Sequence, residues 1–166
     1  MTFRSNFAIR ATRLIVLMLM CGCAQSALAQ QLSTRFSCSE MREEDNQKAL
    51  YADNGEIRLD GNRIETFHWE SSLLRRTHGF ECSIDETDGL QAEARGESWR
   101  ISLTNARAAR TRRGYNFEHG FNCTIRLERN GDTLQVKPTC PALCGSRSNF
   151  SELSVEGKTG KGRYEE

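Results

Sequence analysis

The chain is short of most residues that mark catalysis or membrane insertion. It has 166 residues and only two prolines, Pro138 and Pro141, which flank Cys140. Aromatics make up 8% of the chain, and histidines number three. No H-E-x-x-H, H-x-x-x-H or C-x-x-C spacing is present, so no zinc-type ligand set can be read from it. No Gly-x-Ser-x-Gly elbow and no glycine-rich phosphate loop occurs either. The longest apolar run, Leu14 to Met20, falls well short of the ~20 residues a bilayer-spanning helix needs. These absences leave an enzyme reading without a positive feature, and they predict no cofactor and no metal.

That apolar run has a different meaning. Arg4, Arg10 and Arg13 precede it, and Ala27-Leu28-Ala29 follows as a small-x-small cleavage site. Residues 1–29 read as a signal peptide, which places the mature protein in the periplasm or outside the cell. A rival reading attaches a lipid anchor at Cys23, because Met20-Cys21-Gly22-Cys23 loosely resembles a lipobox. The whole chain carries 23 Lys+Arg against 22 Asp+Glu, and loss of the three signal arginines leaves 20 against 22. A formal net of −2 does not suit a general nucleic-acid binder.

Five cysteines lie beyond residue 29: Cys38, Cys82, Cys123, Cys140 and Cys144. In an exported chain these are disulfide candidates, and an odd number leaves at least one unpaired. Cys140-Pro-Ala-Leu-Cys144 has the wrong spacing for a redox pair and reads as a loop pin.

The hydropathy period separates the mature chain into parts. Residues 30–54 read as a polar segment whose stretch 39–50, SEMREEDNQKAL, predicts a short surface helix, with Ser39 as cap and Lys48 near its end. From residue 55 the period is two. Asp60-Gly61-Asn62 and Asn130-Gly131 are hairpin turns, and Trp99, Ile101 and Leu103 alternate between them. The clearest alternation runs from Tyr115 to Leu127 on odd positions, and a last strand is expected at Phe150 to Val155. Residues 55–157 therefore predict one all-β domain. It would be a single antiparallel sheet of about seven or eight strands, twisted or closed into a small disulfide-braced barrel. Residues 158–166 read as a flexible tail.

One near-repeat stands out. His78-Gly-Phe-Glu-Cys-Ser-Ile84 is echoed as His119-Gly-Phe-Asn-Cys-Thr-Ile125. In each copy Phe, Cys and Ile share one face, so the two strands could be sheet neighbours, with Cys82 and Cys123 bridged across them.

Two polar stretches are candidate contact surfaces. Arg107, Arg110, Arg112 and Arg113 form a basic patch between strands, suited to a carboxylate or phosphate partner. Gly145-Ser146-Arg147-Ser148-Asn149-Phe150 follows Cys144 and would be a loop on a rigid scaffold, a common place for binding residues such as Ser146, Arg147 and Asn149.

The export signal, the aromatic-x-Cys strands and the 145–150 loop together resemble the periplasmic or membrane-bound inhibitors of C-type lysozyme. That family inserts a Ser-Gly-x-x-Tyr loop into the lysozyme cleft, whereas this chain has Gly145-Ser146 in reversed order and Phe150 as its aromatic. The resemblance implies a small β-barrel and a non-enzymatic inhibitor of a cell-wall hydrolase, with Ser146 and Arg147 as contacts. The alternatives are a structural cell-envelope protein, tethered through its odd cysteine to an unknown partner, and an unrecognised periplasmic enzyme.

Overall fold

A computed structural model describes residues 30–44, 46–105, 107–108, 111, 124–139 and 150–165. Ten strands fill these residues. The first four are β1 (Gln31–Glu44), β2 (Gln47–Asp60), β3 (Arg63–Arg75) and β4 (Gly79–Ile84). They form an antiparallel sheet in the order β1-β2-β3-β4. The other six are β5 (Leu90–Arg95), β6 (Ser98–Leu103), β7 (Thr124–Asn130), β8 (Thr133–Pro138), β9 (Leu153–Glu156) and β10 (Gly162–Tyr164). They form a second antiparallel sheet in the order β10-β9-β8-β7-β6-β5.

The described residues are thus all-β, but they make two sheets and no closed barrel, which corrects the single-sheet expectation. The crossing between the sheets lies at a point no hydropathy period marks. Asp85 caps a 3-10 turn at Glu86–Asp88, accepting from Thr87 N, and Gly89 ends it at φ 66°. A left-handed residue here reverses the chain without the Cβ clash other residues would meet. Asp88 is buried, and its carboxylate accepts from Asp85 N at 3.0 Å, so the polar crossing is internally satisfied.

The expected N-terminal helix is likewise replaced by strand. Residues 39–50 fall on β1 and β2, turned by Asn46 at φ 61°. Asn is among the few residues that enter this region at low cost. The charged side chains that mimic a surface helix sit at the far end of a long hairpin. There the Arg42 guanidinium binds Glu40 at 2.7 Å and lies over the rings of Tyr51 and Tyr164, at 5.1 and 5.0 Å. The region assigned to a flexible tail also departs from expectation. It carries β10, and Tyr164 is buried.

Where the turn chemistry is plain, the reading holds. Gly61 and Gly131 have φ of 57° and 59° in the β2–β3 and β7–β8 hairpins. Trp99, Ile101 and Leu103 are buried on one face of β6. Of the Tyr115–Leu127 alternation, residues 124–127 belong to β7 and the rest lies outside the described residues. In the first heptad copy Cys82 and Ile84 are buried and Phe80 is half-buried, as alternation requires. The second copy runs into β7, which pairs with β6 and β8 in the other sheet. Its described end, Thr124 and Ile125, therefore does not pair with β4, because the crossing at Asp85–Gly89 has already moved the chain between sheets, and residues 119–123 lie outside the described residues.

The inner faces share one core. Trp69, Trp99, Phe67, Phe150, Ile57 and Leu127 are among its fully buried side chains, each worth roughly 1.5–3 kcal/mol of burial. Trp69 of β3 meets Phe150 edge-on at 4.7 Å, which locks one sheet to the other. Polar ties add to this. Trp99 Nε1 donates to Gly61 O at 3.1 Å, and Arg129 Nη2 donates to Gln31 O. At one edge β1 and β10 touch through a parallel bridge, Ser37 to Lys161, with Ser37 N donating to Gly160 O at 2.9 Å. On the free edge of β5, Ala94 N donates to Asn62 Oδ1 at 2.7 Å, which blunts an otherwise open edge.

Candidate functional site

The six-stranded sheet positions the expected contact stretches. Leu103 ends β6, Thr124 begins β7, Pro138 ends β8 and Leu153 begins β9. These strands are antiparallel neighbours, so the four ends lie on one side of the sheet. The connections 104–123 and 139–152 both leave from that side. Long connections inside a compact domain are uncommon and concentrate function. The first carries Arg107, Arg110, Arg112 and Arg113, and the second carries Ser146, Arg147 and Asn149.

Of these, Arg107 alone is described, and it is exposed on helical backbone. Arg110, Arg112, Arg113, Ser146, Arg147 and Asn149 lie outside the described residues, as do Cys123, Cys140 and Cys144. Among the described residues no bridge joins two cysteines. Cys38, expected among the disulfide candidates, is a free buried thiol. It points inward from β1 against β10, where no described cysteine faces it. Burial, then the nearby Asp53, push its thiol pKa up to about 11.

Beneath the loop end, the outer face of the same sheet carries a row that the sequence reading missed. Arg100 of β6 is register partner of Arg126 of β7, and Arg126 is register partner of Lys137 of β8. Arg126 pairs with Glu128 at 2.5 Å, and Lys137 pairs with Glu152 at 2.9 Å and Glu128 at 3.7 Å. Glu152 is the main cause holding the Lys137 ammonium above its ordinary pKa. The signal for this row was present in the alternation, since Arg100 and Arg126 each sit between two core residues. Only the strand register aligns them.

The inner face holds a second missed feature. Asp53 of β2 is 2% exposed. Its carboxylate accepts from Trp69 Nε1 at 2.7 Å, from the Tyr164 hydroxyl at 2.6 Å, and from Ser71. Burial raises its pKa, and the three donors oppose that shift. Burial, then Asp53, hold the Tyr164 hydroxyl protonated far above its ordinary range. With its donors supplied by the fold, this carboxylate ties β10 to β2 and β3. Beside it, Cys38, Glu40, Glu156, Lys161, Arg163 and Tyr164 line a cleft of about 640 Å³ between β1 and β10.

Among the described residues, no cluster of three or more His, Cys, Asp or Glu is placed to hold a metal ion. Among them, too, no helix is long and apolar enough to cross a membrane. No protein-family model, no curated protein and no solved structure matches this chain.

Proposed function

We propose that this chain is an exported bacterial binding protein that acts without chemistry of its own, using the loop end of its six-stranded sheet. The observation that carries the reading is the shared exit of the connections 104–123 and 139–152 from one side of that sheet. A rigid scaffold that presents two long connections together lowers the entropic cost of seating them on a partner. The arginines of the first connection suit a carboxylate or phosphate surface. In this reading Cys82 is bridged to Cys123, Cys140 or Cys144, bracing one connection against β4.

The specific form of the proposal is inhibition of a cell-wall hydrolase such as lysozyme, with Ser146 and Arg147 entering the cleft. The test is titration of the oxidised mature protein into a C-type lysozyme lysis assay. We expect stoichiometric inhibition that Arg147→Ala abolishes while melting stays unchanged. Absence of inhibition at micromolar excess removes the hydrolase reading. Full inhibition by the variant removes Arg147 as a contact. The alternative of a tethered structural envelope protein loses Cys38 as its tether, because that thiol is buried.

A further inference from the structure

Arg100 is an exposed cation that no described carboxylate neutralises. Its register partner on β5 is Glu93, but the Glu93 carboxylate binds Arg95 at 2.7 Å. Its partner on β7 is another cation, Arg126. Like charges directly opposite one another in a sheet are unfavourable. Packing does not demand arginine at position 100, whose side chain is exposed between buried Trp99 and Ile101. Arg126 is met by Glu128 at 2.5 Å, so of this pair Arg100 alone faces solvent without a described carboxylate.

A shallow cleft of about 360 Å³ opens at this pair, with Arg95, Ser98, Arg100, Thr124, Arg126 and Thr139 in its lining beside the edge of the buried Trp99. The Thr124 and Thr139 hydroxyl oxygens are 3.5 Å apart. That volume is near the lower end of small-ligand sites. A protein partner would want large apolar anchors. Among the described residues the exposed large apolar side chains are Met41 and Leu74, both on the other sheet. A small polar ligand fits these surroundings better, and the Arg100 guanidinium, with no described carboxylate of its own, asks that it carry an oxyanion.

We propose that this cleft binds an anionic sugar unit, its carboxylate or phosphoryl group held by Arg100 and Arg126 and its hydroxyls donating to the oxygens of Ser98 and Thr124, whose own protons go to Arg95 O and Thr139 Oγ1. The site stands independently of hydrolase inhibition, since it uses the sheet face and none of the loop residues assigned above.

The test is calorimetric titration of the purified protein with galacturonic acid, glucose 6-phosphate, glucose and inorganic phosphate. The anionic sugars are expected to bind and glucose is not. Arg100→Gln should weaken binding about tenfold or more, the worth of a lost charge-assisted hydrogen bond. The same variant, unliganded, should melt no lower than the parent, because Arg100 is exposed and makes no described ion pair. Arg58→Gln, on the other sheet, should bind as the parent does. Failure of both anionic sugars at millimolar concentration overturns the proposal, and so does undiminished binding by Arg100→Gln. Inorganic phosphate binding as tightly as the sugar phosphate overturns the sugar assignment.

Discussion

Replacing Tyr164 with phenylalanine removes one hydroxyl and little else. The ring would keep its edge contact with Tyr51, 6.3 Å between centroids, and the Arg42 guanidinium over its face. What is lost is the 2.6 Å hydrogen bond donated to Asp53, which is buried. A hydrogen bond to a charged group contributes ~1.5–3 kcal/mol, and leaving its partner short adds to the cost. For a domain of this size a loss of ~2 kcal/mol lowers melting by roughly 5–10 °C. The effect should also depend on pH, with a definite sign. Burial raises the Asp53 pKa above its ordinary 3.8, so the folded state holds this proton more tightly than the unfolded chain. The stability that Asp53 contributes is complete below the ordinary value and is lost as pH rises through the raised one. Tyr164→Phe removes a donor that favours the carboxylate, so its deficit should widen as pH climbs above that ordinary value. Asp53→Asn should flatten this part of the profile. Thermal unfolding from pH ~4 to ~7 measures both. A Tyr164→Phe melt within about 1 °C of the parent throughout would refute the coupling, since even ~0.5 kcal/mol exceeds that shift.

Two further outcomes follow from the seam between β1 and β10. The Cys38 thiol, with its pKa near 11, should resist an alkylating reagent at neutral pH in the folded protein and react after denaturation; mass spectrometry reads the label, and fast labelling of the native protein would contradict the burial. Gly160 has φ 70°, and a Cβ there would come within 2.3 Å of Arg35 O, whereas at Gly131, with φ 59°, it would meet nothing within 4 Å. Gly131→Ala should cost only the left-handed strain of ~1–2 kcal/mol, and Gly160→Ala clearly more; equal melting of the two would place β10 away from β1.

How much of this was legible differs by feature. The hairpins at Gly61 and Gly131 could be read because the turns need a positive φ and the flanking residues alternate. The β1 strand was missed although Leu32, Thr34, Phe36 and Cys38 alternate and all are buried. Its charged continuation, Ser39 to Glu44, imitates a helix surface, and only the Tyr51 and Tyr164 rings beneath Arg42 explain those charges in a strand. The division into two sheets depends on a capped turn at Asp85–Gly89, which reads like any Asp-Gly hairpin until its partners are known. The Asp53–Tyr164 pair spans 111 positions, and no periodicity reaches that far. The basic row at Arg100 and Arg126 needed the register of two strands separated by the connection 104–123.

The meander has a consequence for time as well as for energy. Within each sheet every strand pairs with a sequence neighbour, so most pairing can begin locally. The contact between β1 and β10 is different, because it closes a loop nearly as long as the domain. A contact that forms after the rate-limiting step leaves the speed of folding alone and slows unfolding. The short C-terminal strand, laddered to β9 and tied to the first sheet by one hydroxyl and one parallel bridge, then acts as a clasp. It governs how long a folded molecule lasts rather than how fast one is made.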